Sequence, residues 1–184
     1  MFEDQQKFVF AGEVGAGKTT AIRTVSESEI LSMEVPLSEA IDIPGKLTTT
    51  VGFDFAILQI AETPLFLYGT PGQDRFRFVA RDLLDGALGV ILLVNLGQRD
   101  ALQALCRWLS LISAQAPRAP VLVALNRPQA DGLGLSEVRE CAAQSHPGLL
   151  GVVTADPRSR LEMLNCLRML TLAQLHQTAS PDPA

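Results

Sequence analysis

The sequence predicts a single α/β domain: a six-stranded, mostly parallel sheet with one antiparallel strand and about five helices on both faces. Short apolar runs alternate with helix-like stretches along the 184 residues, which is typical of parallel strands joined by crossover helices. Two runs, Ala87–Val94 and Val121–Leu125, are almost continuously apolar, as expected of strands that are covered on both faces. Hydrophobic residues make up 47% of the chain and charged residues 19%, which favours one well-filled core over disorder.

The strands follow from the apolar pattern and from the turns between the runs. Val51–Ala61 alternates as a half-buried strand does, and Thr63–Tyr68 follows after a very short turn, so these two are predicted to form the antiparallel hairpin. The other predicted strands are Phe8–Ala11, Ala87–Val94, Val121–Leu125 and Leu149–Val153. The segment from Ser28 to Lys46 contains two prolines and a glycine near its end and is predicted to be irregular.

The helices are predicted between these strands. They span Gly17 to about Glu27, a short stretch after Gln73, Gln98–Ala114, Ser136–Ala143 and Pro157–Gln177. The last helix has a start signal, because Asp156 is placed to cap it and Pro157 occupies its first position. Its leucines approximate one apolar stripe: Leu161, Leu164, Leu167, Leu172 and Leu175. Residues 1–178 are expected to form the domain and residues 179–184 a flexible tail.

Charge and cysteine content argue against several function classes. Lys and Arg number 15 against 20 Asp and Glu, which gives a net charge of −5 without a basic block and disfavours nucleic acid as a partner. The longest apolar stretches have the length of strands, so no membrane insertion is expected. Cys106, Cys141 and Cys166 are far apart and odd in number, which predicts buried thiols rather than a disulfide or a zinc site, and a cytoplasmic location.

The strongest motif begins at the end of the first strand and fits G-x-x-x-x-G-K-[ST]: Gly12-Glu13-Val14-Gly15-Ala16-Gly17-Lys18-Thr19. The glycines let backbone N–H groups turn toward phosphate oxygens, Lys18 reaches the β- and γ-phosphates, and the Thr19 hydroxyl is placed to ligate Mg²⁺. The following helix adds its positive end to the same place. The sequence therefore predicts that these residues, together with Thr20, bind a nucleoside triphosphate.

Two further motifs indicate the subclass. Thr48-Thr49-Thr50-Val51-Gly52-Phe53-Asp54-Phe55 is followed by Leu67-Tyr68-Gly69-Thr70-Pro71-Gly72-Gln73-Asp74-Arg75-Phe76. Together with the phosphate loop, these resemble switch I and switch II of the Ras-like small GTPases. The resemblance covers essentially the whole chain and is closest to bacterial MglA-like members whose switch II reads L-Y-G-T-P-G-Q.

The resemblance implies a Ras-like G domain that binds GTP or GDP with Mg²⁺, hydrolyses GTP slowly and signals through its switches. Lys18, Thr50 and Gln73 are the implied catalytic residues, with Gln73 orienting the attacking water. Thr19 and Thr50 are the implied Mg²⁺ ligands, and Gly72 offers its N–H to the γ-phosphate. The family also implies a protein partner at the switches, of the roadblock or longin type.

The chain departs from the family pattern at the metal and at the base. Gly69 stands where the D-x-x-G motif has an Asp that holds Mg²⁺ through water, which predicts weaker Mg²⁺ dependence or slower turnover. The base motif N-K-x-D reads Asn126-Arg127-Pro128-Gln129, and Gln129 has one carbonyl oxygen where the family's carboxylate accepts two hydrogen bonds from guanine. Asp131 is an alternative acceptor.

Other residues bear on the base and on hydrolysis. The segment Thr154-Ala155-Asp156 follows the last strand and resembles the family's loop whose backbone N–H meets guanine O6. Val14 occupies a loop position at which a side chain can obstruct an arginine supplied by an activating protein. Arg75, Arg77 and Arg81 follow Gln73. Either one of them assists hydrolysis as an arginine supplied by the chain itself, or they form a solvated basic face of the second helix.

Two alternatives to a GTPase switch stay open at this point. A scaffold that holds a nucleotide without hydrolysing it is favoured by Gly69 and by the altered base motif, and is opposed by Lys18, Thr19, Thr50 and Gln73. An ATP-binding protein or kinase is disfavoured by the switch II motif. Nucleotide affinity and turnover discriminate among the three.

Overall fold

The computed structural model describes residues 6–26, 31–36, 50–127 and 135–179. Strands in this part of the chain are β1 (Gln6–Ala11), β2 (Leu31–Pro36), β3 (Thr50–Ile60), β4 (Thr63–Gly69), β5 (Gly89–Asn95), β6 (Val121–Asn126) and β7 (Leu149–Thr154). They form one sheet in the order β2-β3-β4-β1-β5-β6-β7. β3 runs antiparallel to both of its neighbours, whereas the remaining pairs are parallel. The predicted fold class, with its one antiparallel strand, is confirmed.

Helices cover both faces of the sheet. Those within the described ranges are α1 (Lys18–Val25), α2 (Arg77–Leu84), α3 (Ala101–Gln115), α4 (Leu135–Ala143) and α5 (Arg160–Ala179), and a short 3₁₀ turn at Asp74–Phe76 precedes α2. Alternate residues of β1 separate two cores: Val9 packs in the cluster that includes residues of α2, α3 and α4, and Phe8 in the cluster that includes residues of α1 and α5. Because the parallel strands are covered on both faces, their carboxyl ends form the edge where connecting loops meet.

The sheet has one strand more than the six that the sequence predicts. Leu31–Pro36, which lies within the segment predicted to be irregular, pairs antiparallel with β3 from Phe55 to Thr50. Its final residue, Pro36, sits at the end of an edge strand, where a missing N–H is tolerated. Residues 28–30 and 37–46 of that segment lie outside the described part of the chain.

Two expectations for α5 are wrong. The helix begins at Arg160 rather than at Pro157, because residues 156–159 form a turn in which the Ser159 N–H donates to the Asp156 carbonyl. The buried face consists of Met163, Cys166, Leu167 and Leu170, whereas Leu161, Leu172 and Leu175 of the predicted stripe are exposed. The expected tail beyond Ala179, residues 180–184, lies outside the described residues.

The expectation of three unpaired thiols is wrong for two of them. Cys106 of α3 and Cys141 of α4 form a disulfide, with 6.9 Å between their Cα atoms. The two helices pack side by side, which spacing along the chain does not reveal. Cys166 is free and buried, and burial raises the pKa of its thiol to about 11.

No helix in the described ranges is both long enough and apolar enough to cross a membrane.

Candidate functional site

The phosphate loop connects β1 to α1 and depends on three glycines with positive φ. Gly12, Gly15 and Gly17 have φ angles of 139°, 76° and 101°. A Cβ on Gly12 would lie 2.3 Å from the Leu93 carbonyl oxygen, and one on Gly17 would lie 2.7 Å from Cγ of Pro157. The backbone can therefore take this path only with glycine at both positions, as the motif predicts.

Lys18 is the buried cation of the loop. Its Nζ donates hydrogen bonds to the carbonyl oxygens of Gly12 and Glu13, each at 2.7 Å. Burial lowers the pKa of Lys18 to about 8, while the negative charges of Glu13 and Asp54 oppose that shift. An anion beside Nζ would favour the protonated form, so this position suits a phosphate group.

Three amide side chains at the carboxyl edge of the sheet donate hydrogen bonds to carbonyl oxygens of the phosphate loop. Asn95 Nδ2 donates to the Gly15 carbonyl at 3.2 Å, and Gln98 Nε2 donates to the Val14 carbonyl at 2.9 Å. Asn126 Nδ2, on β6, donates to the Ala16 carbonyl at 2.5 Å. The motifs indicated Asn126 but not Asn95, which is the last residue of β5, or Gln98, which follows that strand.

An ionic cluster supports the loop from α3. Arg107 Nη2 lies 3.1 Å from Glu13 Oε1 and 3.3 Å from Asp100 Oδ2. These two carboxylates raise the pKa of Arg107, and the hydrogen bond that Arg107 donates to Glu13 has the largest effect. Glu13 belongs to the phosphate loop, so the guanidinium offsets a negative charge next to the position predicted for phosphate.

A cavity of about 440 Å³ lies between the phosphate loop and the β3–β4 hairpin. Thr19 Oγ1 donates a hydrogen bond of 2.5 Å to Asp54 Oδ2 on β3. Asp54 is the cross-strand partner of Gly69 on β4. A Cβ on Gly69 would lie 3.2 Å from Asp54 Oδ2, so the Asp54 side chain borders the space that a side chain at Gly69 would need.

Thr48, Thr49 and Thr50 begin the segment that resembles switch I. Thr50 is the first residue of β3 and pairs with Pro36 of β2. Thr48 and Thr49 lie outside the described residues. Sequence reasoning gave Asp54 no role, although hairpin register alone places it opposite Gly69.

Switch II lies directly against the phosphate loop. A Cβ on Gly72 would be 2.4 Å from the Val14 backbone nitrogen and 2.9 Å from Lys18 Nζ, so only glycine allows this approach. Gln73 is exposed, and its Oε1 accepts a hydrogen bond of 2.8 Å from Arg75 Nε. Arg75 also stacks on the ring of Phe76 at 4.5 Å, which orients the guanidinium toward Gln73.

A separate cavity of about 460 Å³ lies on the other side of the phosphate loop. Among its lining residues are Gly17, Thr20, Asn126, Arg127, Thr154, Ala155, Asp156, Arg158 and Glu162. In the loop Thr154-Ala155-Asp156, which is expected to offer a backbone N–H to guanine O6, the Ala155 N–H donates to the Leu125 carbonyl at 2.9 Å. The Asp156 N–H donates to Glu162 Oε2 at 2.7 Å.

The chain is similar in sequence to known GTP-binding and Ras-related proteins. No family model matches the chain. The chain is 30% identical over 119 residues to the GTP-binding protein ypt4 of Schizosaccharomyces pombe, a match that covers 60% of the chain and 45% of that protein. It is 30% identical over 121 residues to human Ras-related protein Rab-40A-like, covering 66% of the chain and 40% of that protein. The chain thus spans less than half the length of these relatives.

The solved structures give the fold. The small GTPase Arl6 (BBS3) from Trypanosoma brucei, determined with the nucleotide analogue GppNp, superposes with a TM-score of 0.69 at 16% identity, over 94% of this chain and 99% of that one. The protein has the fold of a Ras-like small GTPase. Sequence and fold both relate the chain to that superfamily. The relatives named above are eukaryotic, so the resemblance to bacterial MglA-like members stays a prediction.

The Ras-like fold brings most of the sequence-predicted site residues to one edge of the sheet. The cavity beside the β3–β4 hairpin and the phosphate loop next to it include Gly12–Thr20, Gly72 and Gln73. The cavity on the other side of the loop is lined by Asn126, Arg127, Thr154 and Ala155. Gln129 and Asp131, the two expected readers of the base, lie outside the described residues. Asp54 and Arg107 are site residues that the motifs did not indicate, whereas Asp156 was expected to cap the last helix and to belong to the loop near guanine O6.

Proposed function

We propose that this protein is a GTP-binding switch that hydrolyses GTP slowly and presents its switch segments to a protein partner. The observation that carries the proposal is the convergence of Lys18, Gly72 and the Thr19–Asp54 pair on one cavity. A glycine-rich turn that binds no ligand needs neither a buried ammonium group nor a second segment that can pack against it only through a glycine. In this proposal Gly12–Thr20 bind the phosphates, and Asn126, Arg127, Thr154 and Ala155 border the nucleoside.

The donor set near Thr19 fits Mg²⁺. Mg²⁺ prefers hard oxygen ligands and keeps several waters, and the Thr19 hydroxyl lies within hydrogen-bond distance of a carboxylate. Thr19 would be a direct ligand, Asp54 would orient Thr19 or a metal-bound water, and Thr50 remains the proposed ligand from switch I. When bound, Mg²⁺ neutralises charge on the β- and γ-phosphates. Asp54 thereby replaces, from the neighbouring strand, the carboxylate that Gly69 lacks.

Hydrolysis would depend on Gln73, whose amide is already held by Arg75. In the closed state, the Gly72 N–H would contact the γ-phosphate and Gln73 would orient the attacking water. Val14 is 54% exposed beside this space and obstructs an arginine that enters from a partner. We therefore expect slow turnover by the protein alone.

The switch would act on a partner at the surface that Phe53, Gly72 and Arg75 border. The L-Y-G-T-P-G-Q motif supports an MglA-like protein with a roadblock or longin-type partner, acting in the cytoplasm. Release of the γ-phosphate would remove the contact that holds Gly72 against the loop. Limited proteolysis of the GTP- and GDP-bound forms tests this directly: identical cleavage near switch II would contradict a switch.

The first experiment is titration calorimetry of nucleotide-free protein with GTP, GDP, ATP and ADP, each with and without Mg²⁺. We expect tight Mg²⁺-dependent binding of GTP and GDP, and weak binding of ATP. Lys18→Met should abolish binding, whereas Lys7→Met should preserve it because Lys7 Nζ donates to carbonyls of α2 and its following turn, away from the loop. Equal affinity for ATP and GTP would identify a general triphosphate-binding protein instead.

A non-hydrolysing scaffold is the second candidate, and Gly69 is the observation that favours it. A turnover assay separates it from the switch. Phosphate release under single-turnover conditions, absent in Gln73→Leu, supports the switch, whereas stable bound GTP in both proteins supports the scaffold.

A further inference from the structure

The base motif has Gln129 where the family has a carboxylate, and the described residues that line the second cavity include two other carboxylates, Asp156 and Glu162. Asp156 follows β7 and lines this cavity together with Gly17, Asn126 and Ala155. Its side chain is 41% exposed, so a ligand can approach the carboxylate once the Arg158 side chain leaves it. The motifs indicate Gln129 and Asp131 after β6 as candidate readers of the base, and Asp156 as a helix cap and as part of the loop near guanine O6.

Several polar groups around the cavity are already engaged within the protein. The Asn126 amide nitrogen donates to Ala16, and the Ala155 N–H donates to Leu125. Asn126 Oδ1 is buried and, among the described residues, has no hydrogen-bond partner. A buried acceptor is costly to leave unsatisfied, so a hydrogen-bond donor on a bound molecule would stabilise Asn126 Oδ1.

The bonds that now occupy the Asp156 carboxylate come from one neighbour. Arg158 donates its backbone N–H to Oδ1 at 2.9 Å, its Nε to Oδ1 at 3.0 Å and its Nη2 to Oδ2 at 2.7 Å. The Arg158 side chain is 81% exposed. An exposed ion pair contributes little to stability, so a ligand with two well-placed N–H groups can replace the guanidinium.

We propose that Asp156 is the base-reading residue of this protein: its carboxylate accepts the N1–H and the exocyclic amine of guanine in place of the Arg158 side chain. The inference rests on the proposed function. Guanine presents two adjacent donors to a carboxylate, whereas adenine presents a lone pair at N1 that the carboxylate repels. Base selection thus comes from the loop between β7 and α5 rather than from the loop after β6.

The test replaces Asp156 by Asn, which keeps the shape and can still accept the Arg158 backbone N–H. An amide offers one carbonyl acceptor and one donor group, which suits xanthine rather than guanine. We expect Asp156→Asn to lose about tenfold to a hundredfold in affinity for GTP and to gain affinity for XTP, with Kd values measured by calorimetry. Asp82→Asn, at an exposed position of α2 that lines neither cavity, is the matched control and should keep the GTP preference.

Further variants keep the outcome decisive. Asp156→Ser retains an oxygen for the turn and should lose GTP preference without gaining XTP, which covers the case in which the Asn variant does not fold. Unchanged GTP affinity in folded Asp156→Asn overturns the proposal, as does a GTP-to-XTP switch in Asp131→Asn. Failure of the wild-type protein to bind any nucleotide overturns the proposed function as well, whereas wild-type binding of GTP with no effect at Asp156 overturns only the assignment of Asp156.

Discussion

Asp54 and Gly69 are cross-strand partners in the β3–β4 hairpin, and Asp54 Oδ2 lies 3.2 Å from where a Gly69 Cβ would be. The same oxygen accepts the hydroxyl hydrogen of Thr19. A Cβ at position 69 would also lie 2.9 Å from Ile22 Cδ1, so a side chain there must displace both the Ile22 and the Asp54 side chains. The crowding around position 69 therefore favours a small residue in a chain that has Asp at 54.

Asp54→Asn is expected to weaken the Mg²⁺-dependent part of GTP binding. Residues that orient a metal ligand typically change metal affinity by about 10- to 100-fold when replaced, so we expect the Mg²⁺ concentration for half-maximal GTP affinity to rise by about tenfold or more. Titration of Mg²⁺ at fixed GTP, with fluorescent nucleotide as reporter, measures it. Glu62→Gln in the exposed β3–β4 turn is the control and should behave as the wild-type protein.

A double variant tests whether the position of the carboxylate matters. Asp54→Gly combined with Gly69→Asp moves the carboxylate to the strand on which the family carries it. We expect the double variant to recover part of the Mg²⁺ response that Asp54→Asn loses. If Asp54→Asn and the wild-type protein respond equally to Mg²⁺, Asp54 has no part in the metal site.

Arg107→Ala is expected to weaken binding of GTP through Glu13. Without the guanidinium, the Glu13 carboxylate remains close to the phosphates, and repulsion between partly exposed charges corresponds to about two- to fivefold in Kd. The double variant Arg107→Ala, Glu13→Ala should restore most of the affinity because it removes both charges. Loss of affinity in the double variant equal to that in Arg107→Ala would indicate that Arg107 acts through packing of α3 instead.

The fold was predictable where the signal is local. The phosphate-loop glycines, the β3–β4 hairpin and the buried runs of β5 and β6 are each specified within a few consecutive residues, and each lies within a residue or two of its predicted position. β2 was missed because an edge strand needs few apolar residues and its pairing partner is Thr50–Phe55, about twenty residues away. The start of α5 was misplaced because Asp156 caps a turn rather than the helix.

The site was predictable only where one motif carries it. Lys18 and Thr19 are found by spacing alone. Asp54, Arg107 and Asp156 reach the site through strand register, helix packing and a loop after β7, and these relationships are three-dimensional. Departures from the family motif, at Gly69 and Gln129, indicated where such substitutes were needed but not which residues provide them.

Gly72→Ala is expected to reduce affinity for GTP more than for GDP. The added Cβ would meet the Val14 backbone nitrogen at 2.4 Å, so switch II must move away from the phosphate loop. Forcing a methyl group into a packed contact typically costs about 1–3 kcal/mol, which is about tenfold to a hundredfold in GTP affinity. Gly52→Ala is the matched control, because Gly52 lines the same cavity and has open space for a Cβ. Equal losses for GTP and GDP would show that the contact does not sense the γ-phosphate.

The affinity for GTP is expected to fall as the pH rises above about 8. Burial lowers the pKa of Lys18 to about 8 in the nucleotide-free protein, and bound phosphate should raise it by favouring the charged ammonium. Between these two pKa values the complex holds more protons than the free protein, so binding takes up a proton and weakens with increasing pH. Calorimetry at about pH 8.5 in two buffers of different ionisation enthalpy measures this uptake. Lys7→Met should leave it unchanged, whereas absence of proton uptake in the wild-type protein would show that Lys18 does not change protonation when phosphate binds.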